Sequence, residues 1–185
     1  TQARRQPGST FKLLVYLAAF RSGLTPDSMI DDSPITTGSY RPSNAGGRYR
    51  GMITLREAFA RSSNVAAVRL YQQLGHERIV ETARSLGITS EIPANASVAL
   101  GSSGMTLIEL TAAYAAVAGN YGPVEPHALH QTEAGFFERL VDGRSRLPGN
   151  SRAYMLELLR GTIDNGTGGA ARLAIPAYGK TGTTQ

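Results

Sequence analysis

The chain has 185 residues, 41% of them hydrophobic, and a formal net charge of +5 with no cysteine. This is enough apolar chain for one globular domain, and the lack of cysteine excludes disulfides, thiolate metal sites and cysteine nucleophiles. The arginines are scattered without interleaved aromatic residues, which argues against nucleic-acid binding, and no stretch resembles a membrane span or a signal peptide.

Helices dominate the predicted elements, and the first begins near the amino terminus. Ser9 can cap a helix that runs to about Arg21 and ends before Gly23. From Phe11 to Phe20 this helix would be apolar on nearly every side, as buried helices are. The next segment, residues 31–51, is rich in Gly, Pro and Ser and too long for a plain connection, so we expect it to be functional or to carry short strands.

Further helices are predicted by caps and by apolar spacing. Thr54 to Glu57 and Thr106 to Glu109 both fit the capping box and open the helices TLREAFARS and TLIELTAAYAAVAG. Apolar residues recur at helical spacing in VAAVRLYQQLG, HERIVETARSLG and SRAYMLELLRGTI. The closing segment AYGKTGTTQ has Tyr, Thr and flanking glycines, which favour an extended conformation.

Lysine is rare, because Lys12 and Lys180 are the two lysines among 19 basic residues. Each belongs to a short motif: Ser9-Thr-Phe-Lys12 and Lys180-Thr-Gly, with Ser62-Ser-Asn between them. Their order and spacing resemble the serine acyltransferases of the penicillin-binding protein and class A β-lactamase superfamily. The segments RQPGSTFK, LGSSGMTLIELTAAYA and YGKTGTT look like class A, bifunctional penicillin-binding proteins, and this resemblance covers nearly the whole chain.

The first two motifs have a physical rationale beside the resemblance. Helix positions three apart share a face, so Ser9 and Lys12 should lie within reach, and burial would lower the pKa of the lysine so that it can activate the hydroxyl. The alternative is that Ser9 only caps the helix and Lys12 extends to solvent. The resemblance implies that Ser62 relays a proton to the leaving amine and that Asn64 donates to a substrate carbonyl; otherwise they are a helix cap and an exposed asparagine.

The third motif would bind the substrate. On a strand edging the cleft, the charge of Lys180 and the hydroxyls of Thr181 and Thr183 could hold a terminal carboxylate. Gly182 would let a substrate backbone approach closely. The N–H of Thr183 could share an oxyanion hole with that of Ser9.

The resemblance implies an α+β fold, as a mainly helical segment of the transpeptidase fold with most of its antiparallel sheet missing. Residues 1–185 are then expected to be a partial transpeptidase domain that lacks its N-terminal strands and the strands and helix after the KTG motif, and to be unstable or poorly acylated alone. The implied function is D,D-transpeptidation of peptidoglycan stem peptides, with β-lactam antibiotics trapping Ser9 and no cofactor. It would take place on the extracytoplasmic face of the cytoplasmic membrane, with an anchor and a glycosyltransferase domain outside this segment.

A β-lactamase is the main rival, because Glu91 and Asn95 have the spacing of the loop that holds a hydrolytic water in those enzymes. Three features argue against it. Ala94 stands where β-lactamases resemble one another in having leucine, and Ser63 stands where their Ser-Asp-Asn motif has aspartate. The third motif also continues with two threonines. A non-catalytic wall-binding module on the same fold is a second alternative. It would be favoured by a missing motif residue, and none is missing.

Three other features are given structural explanations. His127 and His130 lack a metal-binding pattern and are interpreted as surface residues, so no metal site is predicted. Residues 166–170, GTGGA, lack the lysine of a phosphate-binding loop and are predicted to form a helix-terminal turn packed near the KTG segment. Asp31 and Asp32 adjoin in a polar loop and are expected to be solvated.

Overall fold

The structure is a computed structural model that describes residues 3–38, 40–127 and 145–183. Each helix predicted from the sequence is confirmed within these ranges. The α-helices are α1 (Lys12–Arg21), α2 (Leu55–Ala60), α3 (Asn64–Leu74), α4 (His76–Ser85), α5 (Leu107–Gly119) and α6 (Ser151–Asn165). Short 3₁₀ helices cover Gly8–Phe11, Ala45–Gly47, Ala96–Leu100 and Gly169–Ala171.

The strands are short and form separate antiparallel pairs. They are β1 (Arg4–Arg5) with β4 (Met105–Thr106), β2 (Met29–Asp31) with β3 (Met52–Thr54), and β5 (Tyr121–Gly122) with β6 (Ser145–Arg146). In the second pair Ile30 lies opposite Ile53, and both side chains are buried. A mainly helical α+β fold with little sheet is therefore confirmed for the described part of the chain. The short strands β2 and β3 flank the long loop, and the element inside it is the 3₁₀ helix Ala45–Gly47.

Helix α1 forms the centre of the core. Phe11 and the residues from Leu13 to Ala19 are at most 1% exposed, and α3, α4 and α6 pack against this helix. The 3₁₀ helix that begins at Gly8 leads directly into α1, so Ser9 lies inside the first turn and makes no capping hydrogen bond. The predicted cap at Ser9 is therefore wrong, and the helical turn instead begins one residue earlier.

The two predicted capping boxes differ. Thr106 and Glu109 form the complete box, since each side chain bonds the backbone of the other. At α2 the hydroxyl of Thr54 accepts from the Glu57 N–H, but the Glu57 carboxylate pairs with Arg61 at 2.9 Å, one turn further along the helix. The second half of that box is absent because this ion pair uses the carboxylate.

No helix in the described ranges is both long enough and apolar enough to cross a membrane.

Candidate active site

Lys12 is buried at the start of α1, with no part of its surface exposed. Its Nζ donates hydrogen bonds to the Ser62 carbonyl oxygen at 2.7 Å, to Asn64 Oδ1 at 2.7 Å and to Ser62 Oγ at 3.2 Å. Burial and the nearby charge of Lys180 lower the pKa of Lys12 well below its usual value, and the Asp32 carboxylate opposes this. The alternative in which Lys12 extends to solvent is wrong.

Lys180 approaches the same hydroxyl from the closing segment of the chain. Its Nζ donates to Ser62 Oγ at 2.8 Å and to the Thr181 carbonyl oxygen at 3.1 Å, and it lies 5.6 Å from the centre of the Phe59 ring. Burial lowers the pKa of Lys180 to about 8. The Ser62 hydroxyl therefore lies between two amines whose pKa values are both depressed.

Ser62 has an unusual backbone conformation that fits this position. Its φ of 57° lies in the left-handed region, which residues other than glycine rarely adopt. The Ser62 N–H donates to Phe59 and the Ser63 N–H donates to Ala58, so α2 passes into α3 through a tight link. In this link both oxygen atoms of Ser62 accept hydrogen bonds from Lys12.

Ser63, not Ser62, caps α3. The Ser63 hydroxyl accepts from the N–H of Ala66 at 3.0 Å, and Asn64 is the first residue of the helix. The cap considered for Ser62 is therefore made by its neighbour Ser63, one residue later. This leaves the Ser62 hydroxyl available to the two lysines.

Ser9 lies in the 3₁₀ helix before α1 and is partly buried. In such a helix positions three apart are eclipsed, which places Ser9 and Lys12 on one face. No hydrogen bond joins the two, because the three bonds of the Lys12 amine go to Ser62 and Asn64. A proton transfer between them would require the Lys12 amine to exchange one of these partners for the Ser9 hydroxyl.

Glycines allow the backbone around Ser9 to be tightly packed. The Gly8 N–H donates to the Gly101 carbonyl oxygen at 3.3 Å, and both glycines have a positive φ. A side-chain carbon on Gly101 would overlap the backbone of Gly8, and one on Gly8 would overlap the carbonyl of Thr183. A carbon added to Gly182 would press on the Thr10 methyl group. The turn that holds Ser9 is therefore enclosed between the segment at Gly101 and the KTG segment.

The KTG segment is not a β-strand, which corrects the expectation of a strand edging the cleft. No described residue forms a ladder with residues 180–183, and the segment is anchored upstream by a bond from the Gly179 N–H to the Leu159 carbonyl at 3.2 Å. The hydroxyls of Thr167 and Thr181 are hydrogen-bonded at 2.6 Å. This contact confirms the prediction that the GTGGA turn after α6 packs near the KTG segment.

Asp32 is a residue whose environment the sequence analysis missed. It is 3% exposed and accepts hydrogen bonds from Ser63 Oγ at 2.5 Å and from Asn44 Nδ2 at 2.8 Å. The expectation that it is solvated is wrong, because the β2–β3 pair folds the loop between these strands back over the start of α3. Asp31 is partly exposed and pairs with Arg69 at 3.1 Å. The unusual length of this loop was the available signal.

The described residues that suggested other chemistry lie apart from this hydrogen-bond network. Glu91 is exposed; its backbone carbonyl accepts from Ser103, and its carboxylate makes no hydrogen bond or ion pair in the described part of the chain. His127 is exposed, and His130 lies outside the described residues. No group of three potential metal ligands occurs among the residues that the structure describes.

Comparison with known proteins gives consistent matches. A family model described as the penicillin-binding protein transpeptidase domain matches residues 1–185. Penicillin-binding protein 1A of Rickettsia typhi is 33% identical over all of this chain, which covers 28% of that protein. The crystal structure of penicillin-binding protein 1A from Haemophilus influenzae is 32% identical and superposes with a TM-score of 0.62 over 67% of this chain and 20% of its own.

A third match supports the fold alone. The D,D-transpeptidase domain of a peptidoglycan glycosyltransferase from Eggerthella lenta is 21% identical, with a TM-score of 0.79 over 100% of this chain and 55% of that chain. The chain spans less than a third of the length of the relatives it matches first, at 28% and 20%.

Proposed function

Because the chain belongs to the family of penicillin-binding protein transpeptidase domains, we propose that it carries out serine D,D-transpeptidation of peptidoglycan stem peptides through an acyl-enzyme on Ser9. The observation that carries this proposal is the Ser62 hydroxyl, which receives hydrogen bonds from both Lys12 and Lys180. A serine hydroxyl is a weak nucleophile and needs a neutral base close by. Lys12, fully buried and beside a second amine, meets that need.

In the acylation step the Ser9 oxygen attacks the carbonyl carbon of the penultimate D-alanine. Its proton passes to the neutral amine of Lys12 as the new C–O bond forms. The carbonyl π-electrons move to oxygen, which the backbone N–H groups of Ser9 and Thr183 would face. The Thr183 backbone lies against Gly8, the residue before Ser9, and this contact supports the pairing of those two donors.

The leaving amine then needs a proton. Ser62 Oγ can give its proton to the nitrogen of the departing D-alanine as the C–N bond breaks and recover one from the Lys12 ammonium, which stays hydrogen-bonded to it. In the second half-reaction the amine of another stem peptide attacks the ester and returns its proton by the same path to the departing Ser9 oxygen. Acylation therefore removes the Ser9 proton with the departing D-alanine, and the second half-reaction returns one, so the site is restored after a complete cycle.

The remaining motif residues would hold the substrate. Asn64 Nδ2 donates to the Ser43 carbonyl at 2.8 Å, so its second N–H is available for a substrate carbonyl. Lys180 as a cation, with the Thr181 and Thr183 hydroxyls, would bind the terminal carboxylate. Gly182 would keep this segment close to the Ser9 turn and leave room for the substrate backbone.

Penicillins would mimic the donor peptide and trap Ser9 as a stable ester. By the same resemblance we place the reaction on the extracytoplasmic face of the bacterial cytoplasmic membrane. A membrane anchor and a glycosyltransferase domain are the partners we expect from other parts of such a protein.

The decisive experiment is mass spectrometry of the full-length protein after incubation with penicillin. We expect one adduct, on the peptide that contains Ser9, which disappears in Ser9→Ala and persists in the control Ser102→Ala. With a pentapeptide donor and an amine acceptor, D-alanine should be released and the amine incorporated. The absence of any adduct would instead support the non-catalytic wall-binding module.

A further inference from the structure

The side chain of Asn44 forms a dense set of hydrogen bonds at the start of α3. Its Oδ1 accepts from the backbone N–H of Asn64 at 2.8 Å and from that of Val65 at 3.1 Å, and it lies 3.2 Å from Ser63 Oγ. Asn44 is only 8% exposed, although it belongs to the long loop between β2 and β3. One amide oxygen therefore satisfies two of the free backbone donors in the first turn of the helix.

Asp32 holds this amide in place from the other side. Asn44 Nδ2 donates to Asp32 Oδ1 at 2.8 Å and to the Arg48 carbonyl at 3.0 Å. The same carboxylate oxygen accepts from Ser63 Oγ at 2.5 Å. Because Asp32 fixes which end of the amide is the donor, the amide oxygen must face the Ser63–Val65 backbone.

The contacts of Asn44 and Asp32 adjoin those of Lys12 on the same short segment. Ser62 has the left-handed φ of 57°, and Asn64 Oδ1 accepts from Lys12 at 2.7 Å. A non-glycine residue keeps such a conformation only when its surroundings determine it, since the strain costs about 1 to 3 kcal/mol. Lys12 holds the Ser62–Asn64 segment in this conformation from one side, and Asn44 with Asp32 holds it from the other.

We infer that Asn44 and Asp32 are positioning residues for the transfer reaction, holding the Ser62–Asn64 segment so that Ser62 Oγ and Asn64 Oδ1 face Lys12. This inference rests on the proposed function for its catalytic consequence, and on hydrogen bonding alone for its structural part. The long loop between β2 and β3 then supports the Ser62-Ser-Asn motif, although it contains none of the three motifs itself.

The structural part is tested by hydrogen–deuterium exchange on the full-length protein. In Asn44→Ala the amides of Asn64 and Val65 lose their acceptor, so exchange in the peptide covering residues 62–66 should rise about tenfold. Exchange in residues 76–85, which form α4, should stay unchanged and shows that the variant is folded. Equal protection of residues 62–66 in the variant and the parent protein would overturn the inference.

The catalytic part is tested by the rate of Ser9 acylation by a fluorescent penicillin as a function of pH. Asp32→Asn is nearly isosteric, and Asp31→Asn is a matched control because Asp31 bonds Arg69 and Ser33 and has no bond to Asn44. The charges of Lys180 and Asp32 act on the pKa of Lys12 in opposite directions, and the buried Tyr16 on its own helix is a neutral phenol. Asp32 favours the ammonium form, so its loss should move the acidic limb of the profile to lower pH.

We expect Asn44→Ala to slow acylation on the order of 100-fold, as displacement of a positioned group by about 1 Å can do. Asp32→Asn should shift the pH profile, and Asp31→Asn should leave it in place. Identical profiles for the two aspartate variants would contradict the inference while the parent protein still reacts. If the parent protein is not acylated, the proposed function fails, and the exchange experiment still decides whether Asn44 holds the segment.

Discussion

Lys12 and Lys180, from opposite ends of the chain, donate hydrogen bonds to the same oxygen atom, Ser62 Oγ, at 3.2 and 2.8 Å. Two ammonium groups that bind one oxygen atom are close enough to repel each other strongly in a partly buried site. The arrangement is therefore most stable when one amine is neutral. Lys12 is the one expected to lose its proton, because it is fully buried and its pKa is lowered by burial and then by Lys180. The neutral amine keeps two N–H groups for its two contacts at 2.7 Å, and its lone pair can accept from the Ser62 hydroxyl at 3.2 Å.

The first prediction concerns the different requirements at the two lysines. Lys12→Arg should reduce the acylation rate by about 10² to 10⁴-fold, the usual contribution of a general base, because arginine stays protonated. Lys180→Arg keeps the cation and should cost roughly tenfold, as expected for one weakened charged hydrogen bond. Rates of labelling by a fluorescent penicillin in the full-length protein measure both. Equal effects of the two substitutions would contradict the assigned roles.

The second prediction concerns the pH dependence of acylation. The rate should rise as Lys12 loses its proton and fall near pH 8, because burial lowers the pKa of Lys180 to about 8 and its neutral form binds a carboxylate poorly. The rise and the fall of the rate with pH both reflect the coupled titration of the two amines, so neither is assigned to one lysine in isolation. Lys180→Arg should remove the alkaline fall and keep the acidic limb. An alkaline fall that persists in this variant would show that another group causes it.

The burial of Lys12 could be predicted from the sequence because the information is local. The residues around it from Phe11 to Phe20 are apolar on every side of a helix, and such a helix has no solvent face for a lysine. The Thr106 capping box was predictable for the same reason, since both partners lie within one helical turn. Local patterns therefore predicted the six described α-helices and the positions of the three motifs.

The environment of Asp32 could not be predicted, because it depends on contacts between distant segments. Its partners Asn44 and Ser63 reach it only after β2 pairs with β3. The KTG segment shows the same dependence on partners. Its Tyr and Thr content favours a strand, but a strand needs a neighbour to pair with, and the described residues supply none, as expected for a chain with most of the sheet missing. Propensity sets what a segment can do, and tertiary partners decide the outcome.

The third prediction tests the tight packing of the Ser9 turn. In Gly101→Ala the new methyl group would overlap the Gly8 backbone, so the turn before Ser9 must shift and acylation should be largely lost. Gly23→Ala is the matched control, since Gly23 also has a positive φ but has nothing within 4 Å of the added carbon. Both variants carry a similar backbone strain. If both lose acylation equally, strain and not the contact with Gly8 explains the loss.

The fourth prediction compares the buried Tyr16 with the partly buried Tyr114. The Tyr16 hydroxyl is fully buried and has no hydrogen-bond partner in the described part of the chain, whereas that of Tyr114 donates to the Thr10 carbonyl at 3.0 Å. Tyr16→Phe should therefore stabilise the protein by about 1 kcal/mol, and Tyr114→Phe should destabilise it by about the same amount. Thermal unfolding should show shifts of about 2 to 4 °C in opposite directions. A loss of stability in Tyr16→Phe would reveal a partner for its hydroxyl.

The last prediction separates a transpeptidase from a β-lactamase by the fate of the acyl-enzyme. Both are acylated on serine, but a β-lactamase also holds a water against the ester with a general base, and a transpeptidase must keep the ester until an amine arrives. Glu91 is the residue with the spacing of such a base, yet it is exposed and its carboxylate has no partner among the described residues. The penicilloyl adduct should therefore persist far longer than one turnover.

Glu91→Gln should leave the lifetime of that adduct unchanged, because the substitution removes only a solvated charge. Mass spectrometry of the adduct on the Ser9 peptide over time measures this lifetime in the parent protein and the variant. Rapid release of hydrolysed penicillin by the parent, abolished in Glu91→Gln, would assign the hydrolytic base to Glu91 and overturn the transpeptidase assignment. Rapid release that is equal in both would show that water reaches the ester without Glu91, so that the site itself fails to protect it.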